Sequence, residues 1–197
     1  MRRATLGLAL ALALALGGCM QQAVLENDVR SAQWKGRTLS TATDLNIAEA
    51  ALAAQLVELE ALFQRNPSDQ RVLGLLHRGY QLEARGFVEL RRLAAVNAGD
   101  LAGAEAELQL RADAEGRARY YLQRLGADSK TASSELESQL AEPKAACERH
   151  DRTAYEQKLN ALLAEPEGAP EARLERALLK KLASAWLMPN VAALCKF

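Results

Sequence analysis

The sequence predicts an all-α protein of about six helices, stacked as antiparallel hairpins. Three observations point there. From Leu59 to Arg92, apolar residues recur at spacings of three and four on both sides of a short turn, Asn66-Pro67-Ser68-Asp69. Alanine and leucine dominate, aromatic residues make up only 5%, and no stretch alternates apolar with polar long enough to make a strand. Each apolar run is also bounded by breakers or capping residues, which separates the runs into distinct helices.

The first element is a leader. Met1-Arg2-Arg3 is a positive start, Leu6 to Leu16 is an apolar run of Ala and Leu, and Leu16-Gly17-Gly18-Cys19 follows. The run is too short to span a bilayer comfortably and has the size of a signal-peptide core. Small residues directly before a cysteine resemble the bacterial lipobox. Residues 1–18 are therefore expected to be removed, leaving Cys19 as a lipid-bearing first residue. Several acyl chains on one residue anchor stably where one alone holds marginally. Met20 follows, with no Asp there to resemble an inner-membrane retention signal, so the expected place is the periplasmic face of the outer membrane. Residues 19–43 are expected to form a tether, with a frayed turn near Val24 to Val29, a break at Lys35-Gly36, and Trp34 docked on the body.

Residues 44–197 are expected to form the helical domain. Thr43 or Asp44 caps a helix bearing Leu45, Ala48, Leu52, Leu56, Leu59 and Phe63. Ser68 or Asp69 caps the next, which runs from about Gln70 to Val96 and stops at Asn97-Ala98-Gly99. That helix carries two apolar rows and is expected to be packed on both sides. Gly79 and Gly86 lie on its second row, where a missing side chain lets a neighbour come close. A third helix starts at Asp100 and closes at Gly126. A shorter one from Ser129 is interrupted by Pro143. Asp151 or Thr153 caps a helix with Tyr155, Leu159 and Leu162. Pro170 opens the last, which carries Leu174, Leu178, Leu182 and Trp186 and ends or kinks at Pro189.

Charge narrows the classes of partner. The chain is neutral overall, and loss of Arg2 and Arg3 with the leader leaves a slight acidic excess. Nucleic acid is not an expected partner, because its binding needs a concentrated basic surface. Two cysteines remain beyond the lipobox, Cys147 and Cys195. An even pair in an exported protein predicts a disulfide, with two buried thiols as the other reading.

The candidate chemistry is sparse. Cys147 and His150 have metal-ligand spacing, but one pair is half a site, and no metal is expected. No Gly-rich phosphate loop or nucleophile elbow is present, so neither catalysis nor a cofactor is expected. Arg71, Arg78, Arg85 and Arg92 recur every seven residues, a spacing that lines one helix edge with guanidinium groups. The edge is either a solvated, ion-paired stripe or a docking surface for an anionic partner. Tyr80, Phe87, Tyr120 and Tyr121 belong either to the core or to an apolar groove.

Helix pairs joined through Pro or Gly turns resemble a tetratricopeptide stack in architecture, without its period of about 34 residues. The turn at Pro67, preceded by Leu59 and Leu62 and followed by Leu75-Leu76, Tyr80 and Phe87-Val88, is more particular. RADAEGRARYYLQRL from Arg111 to Leu125 and APEARLERALLKKLASAWL from Ala169 to Leu187 come later. In these features the chain resembles the T-component lipoproteins of TRAP (tripartite ATP-independent periplasmic) transporters, though it lacks much of that family's middle region. The resemblance implies a non-enzymatic periplasmic lipoprotein that docks a soluble solute-binding protein. The alternative is a helical-repeat scaffold in outer-membrane assembly. A carrier of a small apolar ligand is a third.

Overall fold

The computed structural model describes residues 22–126 and 135–197. The expected leader, Cys19 and the start of the helix expected from Ser129 lie outside the described residues. All regular structure among the described residues is helical. Residues 22–40 form α1. Then come α2 (Leu45–Arg65), α3 (Gln70–Leu82) and α4 (Glu89–Ala98), the last two joined by a wide π turn, Glu83–Val88. α5 (Leu101–Arg124), α6 (Glu135–Glu148), α7 (Arg152–Ala164), α8 (Arg173–Trp186) and α9 (Pro189–Ala192) complete the chain. Among the described residues from α2 onward, eight α-helices replace the expected six. The π turn splits one, and the tail beyond Pro189 winds another short one. No described helix is long and apolar enough to cross a membrane.

Helices begin where a carboxylate can take up the free N–H groups of a first turn. Asp44 accepts from the amides of Asn46 and Ile47, Asp69 from Arg71 and Val72, Asp100 from Gly103, and Asp151 from Ala154. At Asp44, Asp69 and Asp151 the cap is the aspartate, not Thr43, Ser68 or Thr153. α4 stops at Gly99, whose φ of 77° is open to a residue without a Cβ.

The α3–α4 rod is the centre of the packing. α2 and α5 flank it, and α8 and α9 cover α4. α2 runs antiparallel to it, with Leu56 against Gly79 and Glu49 against Arg91. So does α5, through His77 to the Ala118 carbonyl and Arg91 to Glu107. The two glycines admit different neighbours. A Cβ on Gly79 would stand 2.8 Å from Leu56 Cδ2 in α2, and one on Gly86 would stand 3.0 Å from Leu178 Cδ1 in α8. Leu59, Leu62, Leu73, Leu76, Leu93, Leu178 and Leu182 are almost wholly buried between these layers. Each contributes about 2 kcal/mol over an exposed side chain.

Two expectations are corrected. The stretch read as a tether is the helix α1 over residues 22–40. Val29 and Ala32 are completely buried, and salt bridges Arg65–Asp28 and Lys35–Glu58 tie it to α2. Its face is narrow, because it covers only one side of the body, so few apolar residues were there to show a period. Gly36 does not break it, because a Cβ there would lie 3.1 Å from Gln55 Nε2 and packing uses the space. Pro143 also does not interrupt its helix. α6 runs through it, although proline has no N–H for the Gln139 carbonyl. The burial of Leu136, Leu140 and Ala146 offsets that loss.

The two cysteines are bonded. Cys147 near the end of α6 and Cys195 in the tail have Cα atoms 4.9 Å apart. His150 Nδ1 lies 2.6 Å from the Cys195 carbonyl. Beyond them Phe197 packs on the Tyr155 ring, with centroids 5.1 Å apart. The C-terminus is thus closed over α6 and α7.

Candidate functional site

The four arginines spaced by seven do not form one edge. Arg71 donates to both Glu26 oxygens of α1 at 2.8 Å and to Asp69. Arg85 pairs with Glu137 of α6 and comes within 3.9 Å of Glu115 in α5. Arg92 binds Glu89, a buried carboxylate that also receives Arg111. The physical reason is the π turn Glu83–Val88, which contains Arg85 and precedes Arg92. A surplus residue rotates everything beyond it by roughly 100°, one residue's share of a 3.6-residue turn. Only Arg78 has no carboxylate partner among the described residues.

Arg78 stands instead at a groove of about 330 Å³ between α1, α2, α3 and the start of α8. Leu39, Leu52, Leu59, Leu75 and Leu174 give it an apolar lining, and Arg37 of α1 adds a second exposed guanidinium. Arg37 too has no ion pair among the described residues. Gln55 donates from Nε2 to the Ala32 carbonyl at 3.0 Å and so fixes α1 beside the opening. A concave apolar surface with a few fixed polar groups has the composition of a binding site.

The opposite flank of α1 carries a wider depression of about 550 Å³ with Trp34, Ile47, Ala51 and Ala54 along it. Trp34 was expected to dock on the body. It is 70% exposed, and Ile47 is 67% exposed. The i, i+3 spacing of Trp34 and Arg37 puts both on one stretch of α1. The sequence does not mark this part of the surface as a site, because α1 has too few periodic apolar residues to show which of its faces stays uncovered.

Three of the four candidate aromatic residues form core. Tyr80, Phe87 and Tyr121 are buried, while Tyr120 is exposed. Tyr80 and Tyr121 stack with centroids 6.0 Å apart. Each gives its hydroxyl proton to a different oxygen of Glu60, at 2.7 and 2.6 Å. Burial first, and the Glu60 carboxylate second, push both phenols above their ordinary range. They stay protonated donors that lock α2, α3 and α5 together.

A cluster of opposite sign lies at the π turn. Arg91 meets Glu49, Glu83 and Glu107. Glu83 Oε2 is buried without a hydrogen-bond partner. Burial, followed by the nearby Glu49 and Glu107 charges against the pull of Arg91, raises the Glu83 carboxyl above its usual 4.5. A raised folded-state value means that ionised Glu83 weakens the fold at neutral pH. Glu83→Gln is expected to stabilise by on the order of 1 kcal/mol at pH 7. The gain should vanish below pH 4.5, where the carboxyl is protonated in both states. Urea melts of both proteins at pH 7 and pH 4 check this, and an equal difference at both would refute it.

Cys147 is taken up by its bond to Cys195, so it does not face His150 as a free ligand. Among the described residues no set of three or more His, Cys, Asp or Glu is placed to hold a metal. No protein-family model matches the chain, and no curated protein or solved structure is significantly similar to it.

Proposed function

We propose that the protein is a lipid-anchored, non-enzymatic docking subunit on the periplasmic face of the outer membrane. In this reading it holds the soluble solute-binding protein of a TRAP-type uptake system on a stack of helical hairpins. The leader ending at Cys19 and the resemblance of the stretches around Pro67, Tyr121 and Leu178 to the transporter T-components support the setting. One observation carries the docking role: an uncovered Trp34 and two arginines without carboxylates, Arg37 and Arg78, lie on the two flanks of α1. Tryptophan and arginine are the residues that most often dominate binding energy at interfaces. Arginines left without internal partners select an acidic surface on the other protein.

The test is capture from detergent-solubilised envelope, with the bound protein identified by its peptide masses. Wild type is expected to retain a periplasmic solute-binding protein. Arg78→Glu and Trp34→Ala are each expected to weaken that capture about tenfold, or roughly 1.4 kcal/mol. Added salt should weaken wild type more than Arg78→Glu. Capture unchanged by either substitution, with unchanged salt sensitivity, would refute the docking role. Retention of outer-membrane assembly proteins in place of a solute-binding protein would favour the scaffold reading instead.

A further inference from the structure

We propose that the end of the bundle bearing the α2–α3 turn rests directly on an anionic phospholipid surface, with no slack between membrane and body. The inference rests on the acylation of Cys19 proposed above. Cys19 precedes Gln22, already helical in α1, by three residues. Covalent geometry therefore keeps their Cα atoms within roughly 11 Å of each other. α1 itself is held down along its length. Val29 and Ala32 are completely buried, Asp28 accepts from Arg65 at 2.7 Å, and Glu26 takes both nitrogens of Arg71. An anchor on Cys19 thus also positions the end of α2 and the start of α3. Phe63 and Arg124 add the end of α5, since that guanidinium lies 5.4 Å from the Phe63 ring centroid.

The chemistry of this end suits lipid headgroups. Across residues 22–30, 60–71 and 117–126 there are six arginines against four carboxylates. Arg124 also lies 5.8 Å from the centroid of Tyr120, so its charge is held at this end. Tyr120 is 46% exposed, and Val24, close behind Cys19, is 53% exposed. A tyrosine ring and a short apolar side chain both favour the boundary between headgroups and acyl chains. The opposite end, at Ala98, lies about 40 Å away along the α3–α4 rod at 1.5 Å per residue. By the same rise, the Arg37 groove stands about 20 Å along α1 from Gln22, facing sideways.

The experiment uses the full chain, produced with its leader and reconstituted into phosphatidylethanolamine/phosphatidylglycerol vesicles. Nitroxide labels are placed at Ser68 or Ala98, and collisions are read with a nickel-chelating lipid headgroup. Ser68 is expected to collide several-fold more often than Ala98. Arg30→Glu/Arg124→Glu is expected to lower the Ser68 signal several-fold in these vesicles and to leave it unchanged in phosphatidylcholine. Equal signals at the two labels on vesicle-bound protein would overturn the orientation while leaving the anchor intact. An equal effect of the charge reversal in both lipids would overturn the headgroup contact. Protein that takes up no palmitate and does not float with vesicles would instead remove the anchor on which this inference rests.

Discussion

Cys147→Ser/Cys195→Ser is expected to lower the unfolding free energy by up to about 4 kcal/mol, because the bond closes a long loop in the unfolded chain. The two cysteines are separated by 48 positions, and α7, α8 and α9 all lie between them. Without the bond, every conformation of that stretch becomes open to the unfolded chain, and its entropy rises. The folded side changes less, since Tyr155, Leu159, Leu174 and Leu182 remain packed. Urea unfolding of wild type with and without reductant, beside the double variant, measures the loss. The reduced protein and the variant should unfold at the same lower midpoint. Identical midpoints for oxidised and reduced protein, with free thiols counted to prove reduction, would show that the bond contributes nothing. Native-state hydrogen exchange should place the first loosening in the tail beyond Pro189.

Tyr155→Ala is expected to destabilise by about 3–5 kcal/mol, as for other large aromatic residues truncated in a core. Tyr155 is fully buried in α7. Its ring stacks on Trp186 and touches Phe197. Its hydroxyl donates to the Trp186 carbonyl at 2.5 Å, taking up one of the acceptors that α8 leaves free at its end. Tyr155→Phe keeps the ring and loses only that bond, so about 1 kcal/mol is expected. Burial pushes the Tyr155 phenol up to about 12 from 10.0. The stability linked to it is full below pH 10 and is lost as pH rises toward 12. Tyr155→Phe should therefore narrow its deficit against wild type across that window. A deficit below 1 kcal/mol for the alanine variant would contradict this account of the clasp. The cysteine and tyrosine losses should not add, because Cys195 and Phe197 belong to one tail.

The parts of the fold that could be read in advance were those in which local chemistry and burial agree. α2, the α3–α4 rod and α5 show aspartate caps, a Pro or Gly stop and apolar residues on a face, and all three features recur in the structure. The close approaches at Gly79 and Gly86 were legible for the same reason, as interior glycines that propensity alone disfavours. α1 was hidden, because a helix covering one side of a body needs few apolar positions and carries many polar ones. Pro143 misled through a local rule that tertiary burial overrides. The arginine series misled through counting: a period of seven has meaning only while the helix keeps 3.6 residues per turn. The groove could not be foreseen, since Arg37, Gln55, Arg78 and Leu174 come from four elements that only the fold brings together.

The wide turn at Glu83–Val88 also makes the chain tolerant of a change in length at one spot. A rod that already houses a surplus residue can shed it by tightening into ordinary α-helix, without shortening any neighbouring layer. Such a deletion would leave α4 facing as it does now, with Arg92 still on Glu89, because the wide turn already takes up one residue's share of rotation. The loss of one codon there would then shorten the chain while keeping its internally neutralised cations turned inward.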